Sequence, residues 1–424
     1  MYYLPPELWL YVFEIASHVP EELDSDFQDP FVDPTSTSVL RLMDPKKSTP
    51  PLIKAVSRRR GLTLVCRAWC RLATPLLYRT IVIVQWVQVP KLSRTLSKSY
   101  GSEVSQDTPA LGHWTRRLDL LTSDPEITVD LEELAPIIAS TPHLVILHLS
   151  PLRVCMRPPT KLFHALRDSC NTSLQKLTWP LWPGIPCMRD DYSDMINACQ
   201  PLRTLCYGPW RRTDACTFST PSLPELRFLS IAENCDSHSP AESHLFPSLT
   251  QVFLLYSRQL DASCLRSFLQ VHSATLTTAY VNVSGYHRGG YFAFEGLKVC
   301  TNLVHLVIFM PITNARDRSL FWEGGLPSVS HLGICCTTSG LLLDKVFPEL
   351  FGVLAEAMYP QSLKVFRIMN EIGTAAASDA FATCHRKLLS LGVEMEDMRG
   401  NKFVPPSEPV SAPTVSRKST WFSR

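Results

Sequence analysis

The chain has 424 residues, 45% of them hydrophobic and 19% charged, with a formal net charge of +2. That balance excludes a wholly disordered chain and gives no electrostatic reason for a nucleic acid or an anionic membrane as partner, which leaves protein. The length exceeds what one compact core usually holds, so two or three domains or one repeat array are expected. Fourteen cysteines are scattered from Cys66 to Cys384 without a CxxC pair, the pattern of free thiols in a reducing compartment rather than of a disulfide framework. Glu7 and Glu14 interrupt the N-terminal apolar run and no basic residue precedes it, so no signal peptide is expected. No window approaches the ~18 clean apolar residues of a membrane span. The expectation is an intracellular protein of the cytoplasm, the nucleus or both.

The first predicted element is LPPELWLYVFEIA, residues 4–16. Leu4, Leu8 and Ile15 share one helical stripe, with Pro5 and Pro6 near the start, where proline is tolerated, and Glu7 complementing the positive end of the dipole. Trp9, Val12, Phe13 and Ala16 occupy much of the remaining surface. A helix apolar on both sides has one face for its own fold and another for a partner, or is buried all round. Residues 18–57 follow as an insert that opens acidic, with Glu21, Glu22, Asp24, Asp26, Asp29 and Asp33, and continues rich in serine and proline. Such a composition buries too little to offset ordering and predicts a long mobile loop.

The next segment, LTLVCRAWCRLATPLLYRTIVI from Leu62, reads as a second helix ended by Pro75. Leu62, Val65, Trp69 and Leu72 form one stripe, and Leu64, Cys66 and Cys70 keep the rest apolar. An N-terminal module over residues 1–84, nearly half of it polar insert, is a poor shell for two such helices, so something else must cover one of the faces.

Leu4-Pro5-Pro6-Glu7-Leu8 followed by Val12-Phe13, then Val65-Cys66-Arg67-Ala68-Trp69, then PLLYRTI from Pro75, resembles an F-box of the divergent kind with which many fungal F-box proteins begin. The resemblance implies a small helical module that docks on the Skp adaptor, and through it on a cullin, as the substrate receptor of a ubiquitin ligase. Matched by motif, the adaptor contacts would be Leu4, Pro5, Leu8, Val12 and Phe13 on the first helix and Leu64, Val65, Cys66 and Trp69 on the second, with some of these, Trp69 foremost, serving the module's own core. Two departures from the family pattern stand out. The family has a short turn where this chain has the insert, and Tyr78 stands where a tryptophan often closes the motif. The alternative is a non-catalytic scaffold whose F-box-like face packs on its own repeats.

After a connector at 85–112, the pattern L-x-x-L-x-L recurs. It begins imperfectly as TRRLDL at Thr115 and continues as LVILHL at Leu144, LQKLTW at Leu174, LRTLCY at Leu202, LRFLSI at Leu226 and LTQVFL at Leu249. LTTAYV at Leu276, LVHLVI at Leu303, VSHLGI at Val329, LKVFRI at Leu363 and LLSLGV at Leu388 complete it, at intervals of 23 to 34 residues. That spacing is the leucine-rich-repeat interval. About eleven degenerate strand-plus-helix units over residues 113–400 predict an α/β fold: an irregular solenoid of parallel strands on the concave side and helices on the convex side. Residues 401–424, rich in proline and serine, read as a disordered tail.

In each copy the fourth and sixth positions share the core face and the positions beside them point away. Those outward positions include Phe228, Phe253, Tyr280 and Phe309, a candidate substrate-binding stripe, with Arg117, Lys176, His305, His331 and Arg367 flanking it. Aromatic anchors ringed by basic groups suit an acidic or phosphorylated segment of an unknown protein substrate. No phosphate-binding glycine loop, zinc signature or nucleophile elbow occurs, and GYHRGGYFAFEG from Gly285 reads as a loop. Neither a catalytic residue, a metal site nor a cofactor is expected, and the chain is not expected to be an enzyme.

Overall fold

The computed structural model describes residues 4–34, 36, 45–101, 109–121, 130–149, 159–179, 189–207, 222–232, 246–255, 262–283, 289–310, 325–336, 343–357 and 359–404. The tail predicted over 401–424 therefore lies outside the described residues from 405 onward.

Among the described residues three helices open the chain: α1 (Pro6–Ala16), α2 (Pro45–Thr63) and α3 (Arg67–Arg79). Helix α2 corrects the expectation of a mobile loop up to residue 57. Leu52, Ala55 and Arg59, three and four residues apart, form its buried stripe, and Leu52 and Ala55 pack with Val19. The stripe contains an arginine, which is why an apolar periodicity did not announce it. The second predicted helix is broken as well: Leu64–Cys66 form a turn between α2 and α3, and the Cys66 thiol caps α3 by accepting from the Trp69 N–H. Pro75 does not end α3. The helix runs on to Arg79 because Ala73 and Leu76, on either side of the proline, are buried against α1, and that packing outweighs one lost backbone hydrogen bond.

The rest of the described chain is built on one twelve-stranded sheet whose spatial order is its chain order. The strands are β1 (Thr80–Ile83), β2 (Arg117–Leu120), β3 (Ile146–Leu149), β4 (Lys176–Trp179), β5 (Thr204–Tyr207) and β6 (Phe228–Ala232). They continue as β7 (Gln251–Leu255), β8 (Thr278–Asn282), β9 (His305–Met310), β10 (His331–Cys336), β11 (Val365–Ile368) and β12 (Glu394–Glu396). Every pairing is parallel, the arrangement of an α/β repeat solenoid. Among the described residues the helices between strands are α4 (Val89–Gly101), α5 (Ala135–Ala139), α6 (Thr160–Cys170), α7 (Arg189–Ala198), α8 (Ala262–Val271), α9 (Gly289–Leu297), α10 (Leu343–Glu356) and α11 (Asp379–Ser390).

The register explains the repeat. Ile81, Leu118, Leu147, Leu177 and Leu205 stand side by side in one row that continues to Phe366 and Met395. From Leu118 to Phe366 these residues are the fourth positions of the sequence pattern, and the whole row, together with the helices, forms the main core. The row begins one strand earlier than the sequence indicated. Strand β1 belongs to the sheet rather than to the N-terminal module, and the predicted connector holds α4, whose Val89 and Leu96 are fully buried in the main core. The last copy is displaced. LLSLGV covers the end of α11, where Gly392, at a φ of 73°, closes the helix while the Val393 N–H bonds back to Leu388 O at 2.9 Å. The strand itself starts only at Glu394. The glycines of the run at Gly285 do not make a loop throughout, since α9 begins at Gly289. None of the helices is long and apolar enough to cross a membrane, among the described residues.

Candidate binding surfaces

Two groups of residues singled out in the sequence meet opposite fates. In the N-terminal module Phe13 is 1% exposed and packs on Ala73 and Leu76, with Trp9, Leu62, Trp69 and Leu72 closing the cluster. The Trp69 ring lies 4.8 Å from both the Trp9 and Phe13 rings. Phe13 and Trp69 are thus the module's own core, and Phe13 is not available to a partner. The other predicted contacts point outward. Leu8 is 48% exposed, Val12 44% and Leu64 75%, and Leu4, Pro5, Val65 and Cys66 are exposed too. Tyr11 and Ile15 extend this apolar surface. Tyr78, at the closing position, is half-buried and packs on the main core, and burial raises its hydroxyl pKa.

On the sheet, the rows that alternate with the core row face the side away from the helices. Phe228, Phe253, Tyr280 and Phe309 form one cluster there with Cys206, Val307, Cys335 and Met369, so the structure brings the predicted stripe together. It is not open, however: all four aromatic side chains are at most 1% exposed. Phe27, from the segment expected to be a mobile acidic loop, joins the cluster and lies against two of them. Its ring stacks on Phe228 at 4.0 Å and meets Tyr280 edge-on at 5.3 Å. Residues 19–34 form a strap across the sheet, entering through a turn at Glu21, whose φ of 59° lies in the left-handed region.

The strap is read strand by strand. Arg117 of β2 donates to Glu22 O at 2.7 Å and Lys176 of β4 to Asp24 O at 3.4 Å. Thr204 of β5 donates to Ser25 O at 2.7 Å, Gln251 of β7 to Phe27 O at 3.0 Å, and Arg367 of β11 to Pro30 O. Arg117, Lys176, Thr204 and Gln251 are the first residues of their strands and stand in one row of the register. Tyr280 holds Gln251 in place through a 3.0 Å hydrogen bond from its hydroxyl.

Side-chain pairs lock the two ends of the strap. Glu22, 8% exposed, accepts from both Arg59 nitrogens of α2 at 2.6 Å and from the Thr80 hydroxyl of β1. Burial alone would raise the Glu22 carboxyl, but the hydrogen bonds from Arg59 and Thr80 and the charges of Arg59 and Arg79 hold it below the ordinary value. Asp29 accepts from Thr278 at 2.5 Å and from His305 Nδ1 at 2.6 Å. Burial again pushes upward and is overcome, here by the His305 hydrogen bond and charge, the Thr278 hydroxyl and the Phe31 N–H. Phe31 lies 5.0 Å from the His305 ring, 5.3 Å from His331 and 4.9 Å from the Arg367 guanidinium carbon. Desolvation and the neighbouring His305 charge lower the His331 pKa. Beneath Phe31 is Gly333, where a Cβ would come within 3.2 Å of the ring and 2.5 Å of Met369 Cε.

The sequence reading named the receptor side of this contact, including all five flanking groups, but missed Phe27, Phe31 and Arg59. A usable signal was present: a glycine inside a strand, as at Gly333, marks close approach of another segment, and two phenylalanines stand within the acidic run DFQDPF.

Among the described residues no group of three or more His, Cys, Asp or Glu is placed to hold a metal ion. Nine cysteines of the described residues form no disulfide, and of these Cys66 and Cys70 are exposed. Compared with known proteins, the chain matches no family model and no curated sequence.

Proposed function

We propose that the chain is an F-box-type substrate receptor: the N-terminal helices bind a Skp adaptor and through it a cullin, the repeats bind a protein substrate, and the ligase chemistry belongs to other subunits. The observation that carries this reading is the exposed apolar surface of Leu4, Leu8, Val12, Leu64 and Val65 beside a module whose own core is already complete with Phe13 and Trp69. Several large aliphatic side chains left in water next to a filled core mark a face kept for a partner. The scaffold alternative expects the repeats to cover that face, and the exposure of Leu8 and Val12 speaks against it.

The finer reading of the fold, an irregular leucine-rich-repeat solenoid curved with its strands inside, has support in a length argument. From Arg117 on β2 to Arg367 on β11 is nine strand steps, ~43 Å along the sheet at ~4.8 Å per step. The strap carbonyls those arginines reach, Glu22 O and Pro30 O, are eight residues apart, ~28 Å at full extension. The reach of the two arginine side chains and a sheet curved toward the strap together close the difference.

The test is co-elution of the purified chain with a Skp adaptor on a sizing column, beside the Leu8→Asp/Val12→Asp chain. Phe13 is left alone because its replacement would break the module's core. A complex with the natural chain that vanishes with the folded variant is expected. No complex from a well-folded natural chain would overturn the proposal and leave the scaffold reading.

A further inference from the structure

We infer that the helix-free face of the sheet is a groove for acidic, aromatic peptide segments, that residues 22–33 fill it as a built-in ligand, and that a protein substrate binds by replacing them with a segment of the same chemistry. The inference deepens the receptor reading by naming the substrate class.

The contact has the anatomy of peptide recognition rather than of a core layer. The strap has no helix or strand of its own between Ser17 and Pro34. Its backbone is held by side chains from five strands that reach main-chain carbonyls, bonds that any extended segment can satisfy. Selectivity comes from three positions: an aromatic pocket for Phe27, a Thr278 and His305 pair for Asp29, and a slot over Gly333 lined by His331 and Arg367 for Phe31. Arg227 adds an ion pair to Asp26 at 3.3 Å. The spacing to be matched is therefore acidic-Phe-x-Asp-x-Phe, as in Asp26 to Phe31.

The repeats do not need the strap to bury their leucines, since the main core lies on the opposite face of the sheet and contains no strap residue. What the strap does cover is the aromatic cluster, which would otherwise be a large exposed apolar patch prone to unselective association. A resident ligand that yields only to a segment making the same contacts removes that hazard and adds selectivity, because a competitor must match the displaced interactions.

The test uses the full chain without adaptor, so the groove and the adaptor surface can fail separately. The natural chain is first exposed to a small thiol reagent under native conditions, with each cysteine followed by mass spectrometry. Cys206 and Cys335 lie in the cluster under the strap, whereas Cys170 and Cys199 lie in the main core. Local release of the strap labels the first pair at least ~10-fold faster than the second. Equal rates for all four would mean that the strap leaves only when the whole fold opens, and would overturn the inference whether or not any variant folds. A fluorescent peptide of residues 22–33 is then titrated into the natural chain and into the Phe27→Ala/Asp29→Asn chain. Weakening the resident segment raises the fraction of open groove, so the variant should bind the peptide at least ~10-fold more tightly. Binding should be lost when the peptide itself carries Phe27→Ala. A folded variant that does not bind the natural peptide would overturn the inference as well.

Discussion

The module surface around Leu8 and the sheet surface around Tyr280 look alike in sequence: large apolar side chains at positions their own element does not bury. In the structure one is open and the other sealed. Neither local hydrophobicity nor periodicity distinguishes them. The difference is a third segment: DFQDPF carries two rings and two carboxylates that fit the sheet surface, and among the described residues nothing equivalent lies over Leu8 and Val12. An apolar face that its own element leaves unburied can therefore be covered by another segment of the same chain, as the sheet face is by residues 22–33.

The largest expected effect on this contrast comes from Arg59→Ala. Arg59 and Glu22 are both buried, and Arg59 also donates to Ser17 O at 3.1 Å, so α2, the end of α1 and the start of the strap share one ion pair. Removing the arginine leaves a buried carboxylate with Thr80 as its remaining side-chain donor, at a cost of about 3–5 kcal/mol. Urea unfolding should show it as a lower midpoint, and methionine at 59 should lower the midpoint similarly, because the stranded charge rather than lost packing sets the penalty. Phe27→Ala comes next, at about 3 kcal/mol, the lower end for a buried ring because neighbouring aromatic side chains can partly close the space. Thiol labelling of Cys206 against global unfolding checks whether that loss is local to the strap face.

Gly333→Ala tests the fit from the receptor side. The added methyl meets Met369 Cε, which can move, and the Phe31 ring, which is held by Arg367. Crowding of this kind costs about 1–3 kcal/mol. Thermal melting should show that loss in the natural chain and much less of it in a chain that already carries Phe31→Ala.

What could be read from the sequence follows from how many residues carried each signal. The sheet was legible because nearly every strand repeats apolar residues at the first, fourth and sixth positions of one pattern, and the register put Phe228, Phe253, Tyr280 and Phe309 on the correct face. Strand β1 escaped because TIVI lacks that pattern and sits against the motif that resembles an F-box. Strand β12 escaped because a helix cap put Gly392 where the repeat has leucine. The strap was misread for a different reason. Its acidic residues count against burial one by one, yet Glu22 and Asp29 are buried because an arginine of α2 and threonine and histidine side chains of distant strands pair with them. Long-range pairing of this kind leaves no local trace in sequence.

Acid should loosen the sealed surface and spare the open one. Glu22, facing Arg59, Arg79 and Thr80, and Asp29, facing His305 and Thr278 with His331 and Tyr280 nearby, both have pKa values below their ordinary ones. Such carboxylates stabilise the fold above their unfolded values, about pH 4 to 4.5, and lose that contribution as pH falls through the folded values. The natural chain should therefore lose stability on acidification faster than Asp29→Asn, and the gap between their melting temperatures should narrow below about pH 4. A gap independent of pH would mean that the Asp29 charge contributes nothing to holding the strap.

The smallest expected effect on stability is at the open surface, and there its smallness is the point. Leu8 and Val12 are about half exposed and lie outside the Phe13 cluster, so Leu8→Asp/Val12→Asp should change the unfolding free energy by no more than about 0.5 kcal/mol per site. Partner affinity should respond in the opposite proportion. Truncating apolar anchors at the centre of a docking face typically costs 2 kcal/mol or more, roughly thirty-fold in affinity, and a carboxylate forced into that face costs further desolvation. A variant that melts with the natural chain but no longer co-elutes with the adaptor would separate a face kept for a partner from a face kept for folding. If the same variant instead melted several degrees lower, Leu8 and Val12 would be supporting the module itself, and the two surfaces would differ less than their exposures indicate.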